Sequence, residues 1–254
     1  MNIFKRIIYQ HFVPLYGKAL RSHNRYINVI YYHDIVNSGG AGAQYTNIDI
    51  FKRQMEYIVA NGYATYTFDE LSDTDKLAFN KKSVLITFDD GWVSNFNEIF
   101  EFMKSKGIKY NIFLTVGKIG NDPDYLTWEQ VREMHKSSLV GFGAHTYSHV
   151  SLKDISSVDT ELEIVKADEV IERETGIGVL DFCYPYGQHS AESDEYLLNN
   201  TAYRRIYTSA MKFSYNSGER IIFGRSSINN DEPFGVFKNK LRGNYNAFAM
   251  MRGK

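Results

Sequence analysis

Two short stretches of the chain concentrate groups able to do chemistry: Thr87-Phe88-Asp89-Asp90-Gly91-Trp92 and His145-Thr146-Tyr147-Ser148-His149. The first places two carboxylates at the end of Ser83-Val84-Leu85-Ile86-Thr87-Phe88, an apolar, β-branched run that reads as a buried strand. Successive strand residues point to opposite faces, so Asp89 and Asp90 have different surroundings. One can take a metal while the other reaches a bound water. Gly91 leaves the chain free to turn sharply after them. An Asp-Asp-Gly by itself is an ordinary solvated turn. The histidine pair changes that reading. Histidines four apart lie on one side of a helical turn and can converge on one ion. Two imidazoles and one carboxylate leave a coordination position open, the donor set of a hydrolytic zinc rather than a structural one. Cobalt, nickel and manganese also suit these ligands. The spare carboxylate can then act as a base.

The elements that must position these groups follow from periodicity. Seven strands are expected: Ile27–Tyr32, Ser83–Phe88, Lys109–Val116, Leu139–Ala144, Leu180–Tyr184, Arg205–Ser209 and Arg220–Gly224. Helical stripes lie between them. Phe51, Met55, Ile58 and Val59 form one, closed by Asn61-Gly62, and Phe96, Ile99, Phe100 and Met103 form another, stopped by Gly107. Thr127 and Gln130 make a capping box for a helix through His135. Longer helical patterns cover Val158–Thr175 and Phe234–Leu241. Alternating strands and helices imply an α/β fold with a parallel sheet. With no glycine-rich dinucleotide fingerprint, a distorted (β/α) barrel of about seven parallel strands, in a single domain, is preferred to an open sheet. His33-Asp34, Asp89-Asp90, His145 and Tyr186 each follow the last apolar residue of their own strand, and in such a barrel those ends share one face.

Composition narrows the rest. A chain of 254 residues can build a substantial core, and its formal net charge of −1 argues against a nucleic-acid partner held by bulk electrostatics. The single cysteine, Cys183, rules out an internal disulfide framework. Residues 1–26 read as an N-terminal amphipathic helical segment and residues 27–254 as the catalytic domain. Ile3, Phe4, Ile7 and Ile8 share a helical face opposite Lys5 and Arg6, and the helix is expected to stop at Pro14. Docking of this helix on the domain is favoured over contact of residues 1–20 with a membrane surface. The segment lacks the apolar run and cleavage site of a secretory signal, so a cytoplasmic protein, at most touching the inner membrane face, is expected.

The two chemical motifs together resemble the polysaccharide deacetylases of carbohydrate esterase family 4, the NodB homology domain. The resemblance runs from about Ile27 to Ile228 and includes Leu126-Thr127-Trp128-Glu129-Gln130 and Tyr184-Pro185-Tyr186-Gly187, the latter in the place of the family's third motif. Tyr31-Tyr32-His33-Asp34 and the Phe51/Met55 helix are closer to the branch acting on bacterial exopolysaccharides such as poly-N-acetylglucosamine. The resemblance implies that Asp90, His145 and His149 hold the metal, that Asp89 is the general base, and that the backbone N–H of Tyr186 helps hold the oxyanion. It implies de-N-acetylation of an N-acetylated glycan, with release of acetate. O-deacetylation, deformylation, or glycan binding without turnover are the rival readings.

The chain departs from the family pattern twice. Cys183 stands where the third motif usually carries an arginine that orients the catalytic aspartate, and Arg225 could reach the same place from another strand. No histidine follows His189, although the family usually has a C-terminal one to protonate the leaving amine. His33 ranks first as the substitute acid because a strand end is a more rigid platform than the loop carrying His189; the third option is that Asp89, protonated by the attacking water, returns the proton itself.

Overall fold

The computed structural model describes residues 8–20, 25–38, 44–72, 82–153, 155–176 and 178–246. In chain order the strands are β1 (Asn28–Tyr32), β2 (Asp34–Val36), β3 (Tyr45–Asn47), β4 (Ala64–Thr65), β5 (Ser83–Phe88) and β6 (Tyr110–Leu114). β7 (Val140–Ala144), β8 (Asp181–Cys183), β9 (Arg205–Tyr207), β10 (Tyr215–Ser217), β11 (Arg220–Phe223) and β12 (Arg225–Ser227) follow. The helices are α1 (Val13–Ala19), α2 (Ile48–Ala60), α3 (Ser94–Asn97), α4 (Phe100–Lys106), α5 (Trp128–Lys136), α6 (Ser157–Thr175), α7 (Ala191–Asn200) and α8 (Phe234–Leu241).

Nine strands pair in the order β10-β11-β9-β8-β7-β6-β5-β1-β12, and β4 joins the start of β5. Every pairing in this sheet is parallel except that of β10 with β11. All seven expected strands are present, and the mostly parallel sheet with helices matches the expected α/β architecture. The two ends of the pairing order are held together by one segment. β11 pairs with β9, and one residue later β12 pairs with β1, so the sheet must curl until residues 220–227 reach both of its ends.

The strand alternation sorts the core into two faces. Val84, Ile86 and Phe88 of β5, with Ile30 and Tyr32 of β1, pack in one cluster with Phe51, Met55 and Ile58 of α2. Leu85 and Val29 point the other way and join Phe113, Cys183, Tyr207 and Phe223 in a second cluster. Thr87 and Asp89 continue the Leu85 side of the alternation. β12 is in register with β1 such that Arg225 lies opposite Val29. The curl of the sheet therefore turns Asp89 and Arg225 toward each other.

The N-terminal helix does not end at Pro14. Phe12 is the N-cap residue of α1 and Pro14 lies in its first turn, where a missing N–H leaves no helical bond unmade. The helix docks on the domain through Val13, Pro14 and Gly17. Val13 packs with Val236 and Tyr245, and the Tyr245 hydroxyl donates to the Tyr9 carbonyl at 2.9 Å. Ile3, Phe4, Lys5, Arg6 and Ile7 lie outside the described residues.

One buried acid in this frame has a readable pH signature. Asp168 on α6 accepts a 2.7 Å hydrogen bond from the Tyr203 hydroxyl, and burial pushes its pKa from 3.8 up to about 7. Between these values the native state holds a proton that the unfolded chain has lost, so stability falls as pH rises through the interval. Asp168→Asn keeps an acceptor for Tyr203 and should flatten that fall. Urea unfolding at either end of the interval would show it; equal pH slopes for the two proteins would contradict the assignment.

Candidate metal and catalytic site

β5 delivers Asp89 and Asp90 to the rim of the sheet. The Asp89 N–H donates to the Tyr32 carbonyl at 3.0 Å, extending the ladder by one residue before the chain breaks away. Asp90 then adopts a left-handed conformation, φ 76°, and Gly91 follows at φ 85°. A Cβ on Gly91 would come within 2.9 Å of Ile119 Cδ1 and 3.0 Å of Leu114 Cδ2, and the left-handed φ strains any side chain there. This double turn swings the Asp90 carboxylate to the same mouth as Asp89.

The histidines converge by a different route from the one their spacing suggests. Residues 145–149 form no helical turn. They make a tight loop after β7 in which Thr146 (φ 61°) and His149 (φ 64°) are left-handed. The Thr146 hydroxyl accepts the His149 N–H at 3.0 Å and holds the loop shut. The outcome still brings both rings to one point. His149 Nε2 lies 3.1 Å and His145 Nε2 3.5 Å from Asp90 Oδ1.

The His145 tautomer is settled by what its other ring nitrogen meets. His145 Nδ1 lies 2.7 Å from the Cys183 carbonyl, which can only accept, so Nδ1 carries the proton and Nε2 presents its lone pair. Burial pushes the His145 pKa down to about 4, which keeps the ring neutral. His149 Nδ1 lies 3.1 Å from the Tyr186 hydroxyl, which can accept its proton and so leave Nε2 free to bind. Asp90 Oδ2 accepts the Trp92 indole N–H at 3.0 Å, whereas the buried Oδ1 receives no aligned donor. Two imidazole lone pairs and an uncommitted carboxylate oxygen within 4.8 Å of one another fit a divalent cation. Asp89, His145 and Cys183 also cluster within that distance. That second set fits worse, because Arg225 occupies both Asp89 and the Cys183 sulfur, and burial pushes the thiol pKa upward.

Asp89 is buried and held as an anion. Burial alone would raise its pKa, but the Arg225 guanidinium more than offsets this and holds the carboxyl below the usual range. The guanidinium binds it as a fork, Nη1 to Oδ1 at 2.7 Å and Nη2 to Oδ2 at 2.8 Å. Arg225 is only 1% exposed, and its remaining N–H groups are satisfied by the Thr87 hydroxyl, the Thr208 carbonyl and the Cys183 sulfur. Its plane sits 4.3 Å from the centre of the Tyr31 ring. His33 Nε2 lies 3.9 Å from Asp89 Oδ2, and its buried Nδ1 has no partner among the described residues.

Tyr186, at φ 59° and ψ 3°, is left-handed and 60% exposed on the rim. The cavity that these residues enclose, about 220 Å³, is lined by His33, Asp89, Asp90, His145, His149, Tyr186 and Arg225 among others. The three candidate ligands, together with Asp89, Tyr186, His33 and Arg225, thus all line it. His189 does not line it; it pairs with Asp194 at 2.9 Å and stacks on Tyr184. Sequence reasoning missed Trp92, Thr87 and Tyr31, which brace the acids and Arg225. Trp92 and Thr87 were visible as members of the motif, but nothing in their types announced a bracing role.

Residues 76–206 match the sequence profile of the polysaccharide deacetylase family, just over half of the chain. The chain belongs to the polysaccharide deacetylase family. It is 30% identical over 146 residues to YxkH, a Bacillus subtilis protein assigned to the polysaccharide deacetylases, covering 56% of this chain and 51% of that one. To the poly-beta-1,6-N-acetyl-D-glucosamine N-deacetylase of Staphylococcus epidermidis it is 23% identical over 185 residues, 68% of this chain and 61% of that one. The chain thus spans about half to three fifths of these two relatives. Among solved structures, the deacetylase PplD of Streptococcus pyogenes superposes with a TM-score of 0.71 at 20% identity, covering 80% of this chain and 93% of that one. IcaB from Ammonifex degensii superposes at 0.70 and 22% identity, covering 87% and 97%. These similarities establish the deacetylase fold, and the site geometry above is this chain's own.

Two outcomes follow. The purified protein should bind one divalent ion per chain; His145→Ala and His149→Ala should each lose it, and Asp89→Asn should keep it, as read by elemental analysis. Full occupancy in the double histidine variant would remove this site from consideration. Arg225→Met strands the buried Asp89 charge, at a cost of about 3–5 kcal/mol in urea unfolding at neutral pH. A loss under about 1 kcal/mol would show the pair to be solvated, as surface pairs are.

Proposed function

We propose that the chain is a metal-dependent de-N-acetylase that hydrolyses the acetamide of an N-acetylated sugar in a bacterial surface polysaccharide or its precursor. The observation that carries the reading is the side-by-side pair of unlike carboxylates. Asp90 turns an uncommitted oxygen toward two imidazole lone pairs, and Asp89, one residue away, is kept ionised by Arg225. The Staphylococcus epidermidis relative, named for poly-N-acetylglucosamine, supports the substrate class.

Asp90, His145 and His149 would hold the ion, which when bound polarises the acetamide carbonyl and lowers the pKa of water to about 7. The residues of the chain supply the rest. Asp89 accepts the proton of the attacking water on a lone pair that the arginine fork leaves open, since a carboxylate offers about four acceptor sites. Arg225 fixes the direction of that carboxylate and opposes its protonation in the resting site. The Tyr186 N–H donates to the oxygen that becomes negative as water adds. The tetrahedral adduct then collapses with cleavage of its carbon–nitrogen bond, and the nitrogen must gain a proton to leave as an amine. His33 is the donor in this scheme: it lines the cavity and lies close enough to Asp89 for the abstracted proton to be replaced. Acetate and the free amino sugar are the products.

The assay is release of free amine and acetate from N-acetylglucosamine oligomers, run beside O-acetylated and N-formylated analogues, with and without added zinc or cobalt. Metal-stimulated amine release is the expected result; ester cleavage alone would move the assignment to an O-deacetylase. His33→Ala should lower kcat by about 10²–10⁴-fold at unchanged metal content. Wild-type turnover in that variant, with loss in His189→Ala instead, would transfer the acid role to His189.

A further inference from the structure

Away from the catalytic mouth, one surface carries features the deacetylase reading leaves unexplained. α1 buries one face, Val13, Pro14 and Gly17, against the domain. The contact is close: a Cβ on Gly17 would meet the Asn244 carbonyl oxygen at 1.7 Å, so the helix lies flush with the backbone after α8. Its opposite side is apolar rather than polar. Phe12 is 59% exposed, Leu15 64% and Tyr16 40%. These residues stand at i, i+3 and i+4, the spacing of a continuous helical stripe. A helix that needed only to pack on the domain would carry polar residues there.

Beside the stripe lies a groove of about 600 Å³ between α1, the end of α2 and the turn after α8. Its charged lining is of one sign: Lys18, Lys82 and Arg242, joined by His11, with no carboxylate among the lining residues. In a chain whose net charge is −1 this segregation is local and strong. Lys18 and Arg242 form no salt bridge among the described residues, and the rest of the wall is tyrosine and amide side chains with Pro14 and Leu15 of α1. An outward apolar stripe adjoining clustered cations is the composition that seats a helix in the boundary between lipid headgroups and acyl chains. Lys82 immediately precedes β5, whose far end carries Asp89, about 20 Å away along six strand residues.

We propose that the outward face of α1 and the cationic groove beside it form a docking surface for an anionic lipid bilayer. Phe12, Leu15 and Tyr16 enter the interface, while Lys18 and Arg242 meet the phosphate groups. Because the groove reaches the end of β5 opposite Asp89, a docked molecule keeps its catalytic mouth open to water, and this last step rests on the deacetylase reading.

The full chain should co-sediment with vesicles of phosphatidylcholine mixed with phosphatidylglycerol, weaken as salt rises, and stay in solution with phosphatidylcholine alone. Each cation near an anionic surface is worth about fivefold in binding, so Lys18→Glu with Arg242→Glu should weaken it at least about 25-fold. Phe12→Ser with Leu15→Ser should also lose binding while the thermal midpoint holds, because both residues are exposed. Equal binding to neutral and mixed vesicles, no binding at all, or wild-type binding by both variants would overturn the proposal. So would a concentration-dependent dimer in sedimentation velocity that Phe12→Ser/Leu15→Ser abolishes, since a second copy would then be the occupant.

Discussion

The structure turns on one buried ion pair. Taking a carboxylate and a guanidinium out of water is costly, and their attraction offsets that cost only when the geometry is good and every remaining donor finds a partner. Around Asp89 and Arg225 both conditions are met: a two-pronged fork, then the Thr87 hydroxyl, the Thr208 carbonyl, the Cys183 sulfur and the face of Tyr31. Those partners come from β1, β5, β8, β12 and the turn after β9. No two-stranded piece of the fold could assemble them. The curl of the sheet and the ionisation of Asp89 are therefore one constraint, since the pair forms only when β12 closes onto β1 in the register that puts Arg225 beside Val29.

Around that pair the backbone is bent where the chemistry is. Five non-glycine residues among those described have positive φ: Asp90, Ser138, Thr146, His149 and Tyr186. Four of the five border the cavity or brace its histidines. Left-handed conformations of such residues are uncommon and persist where the surroundings over-determine them. Here the surroundings are visible: the Gly91 turn packed on Leu114 and Ile119, the Thr146 hydroxyl on the His149 N–H, and the Ser209 hydroxyl on the Tyr186 carbonyl. Asp90, His149 and Tyr186 are thus held in position by the backbone itself.

How much of this could be read from the chain depended on the range of the interaction. β1, β5, β6 and β7 are apolar runs of five or six residues and declare themselves locally, as do the capping box at Thr127 and the Gly107 and Gly176 helix ends. β2, β3, β4, β10 and β12 span two or three residues each, too few for any period to show. The four-residue spacing of His145 and His149 does bring the two rings together, but not by the helical turn it suggests. A helical turn and a loop with two left-handed residues both bring such a pair together, and the loop is fixed by a hydroxyl whose partner no periodicity encodes. Pro14 misled for a related reason, because a proline ends a helix or begins one according to its place in the first turn. The pairing of Arg225 with Asp89 was open from sequence alone, since 136 residues separate them and only the sheet order decides between a surface cation and the core of the site.

That sheet order also explains why the family's arginine can be absent from the third motif. Cys183 sits on β8 with its sulfur 2.9 Å from Arg225 Nη2, so the place such an arginine would fill is already taken by a guanidinium arriving from β12. An arginine at position 183 would put two guanidinium groups on a single buried carboxylate, leaving one positive charge unpaired in a dry interior. A cysteine is small enough to make room, stays neutral because burial opposes its ionisation, and its sulfur still accepts a weak hydrogen bond. Cys183 on β8 and Arg225 on β12 are thus complementary: the one makes room for the other at the same carboxylate. The result is a single positive charge forked onto Asp89.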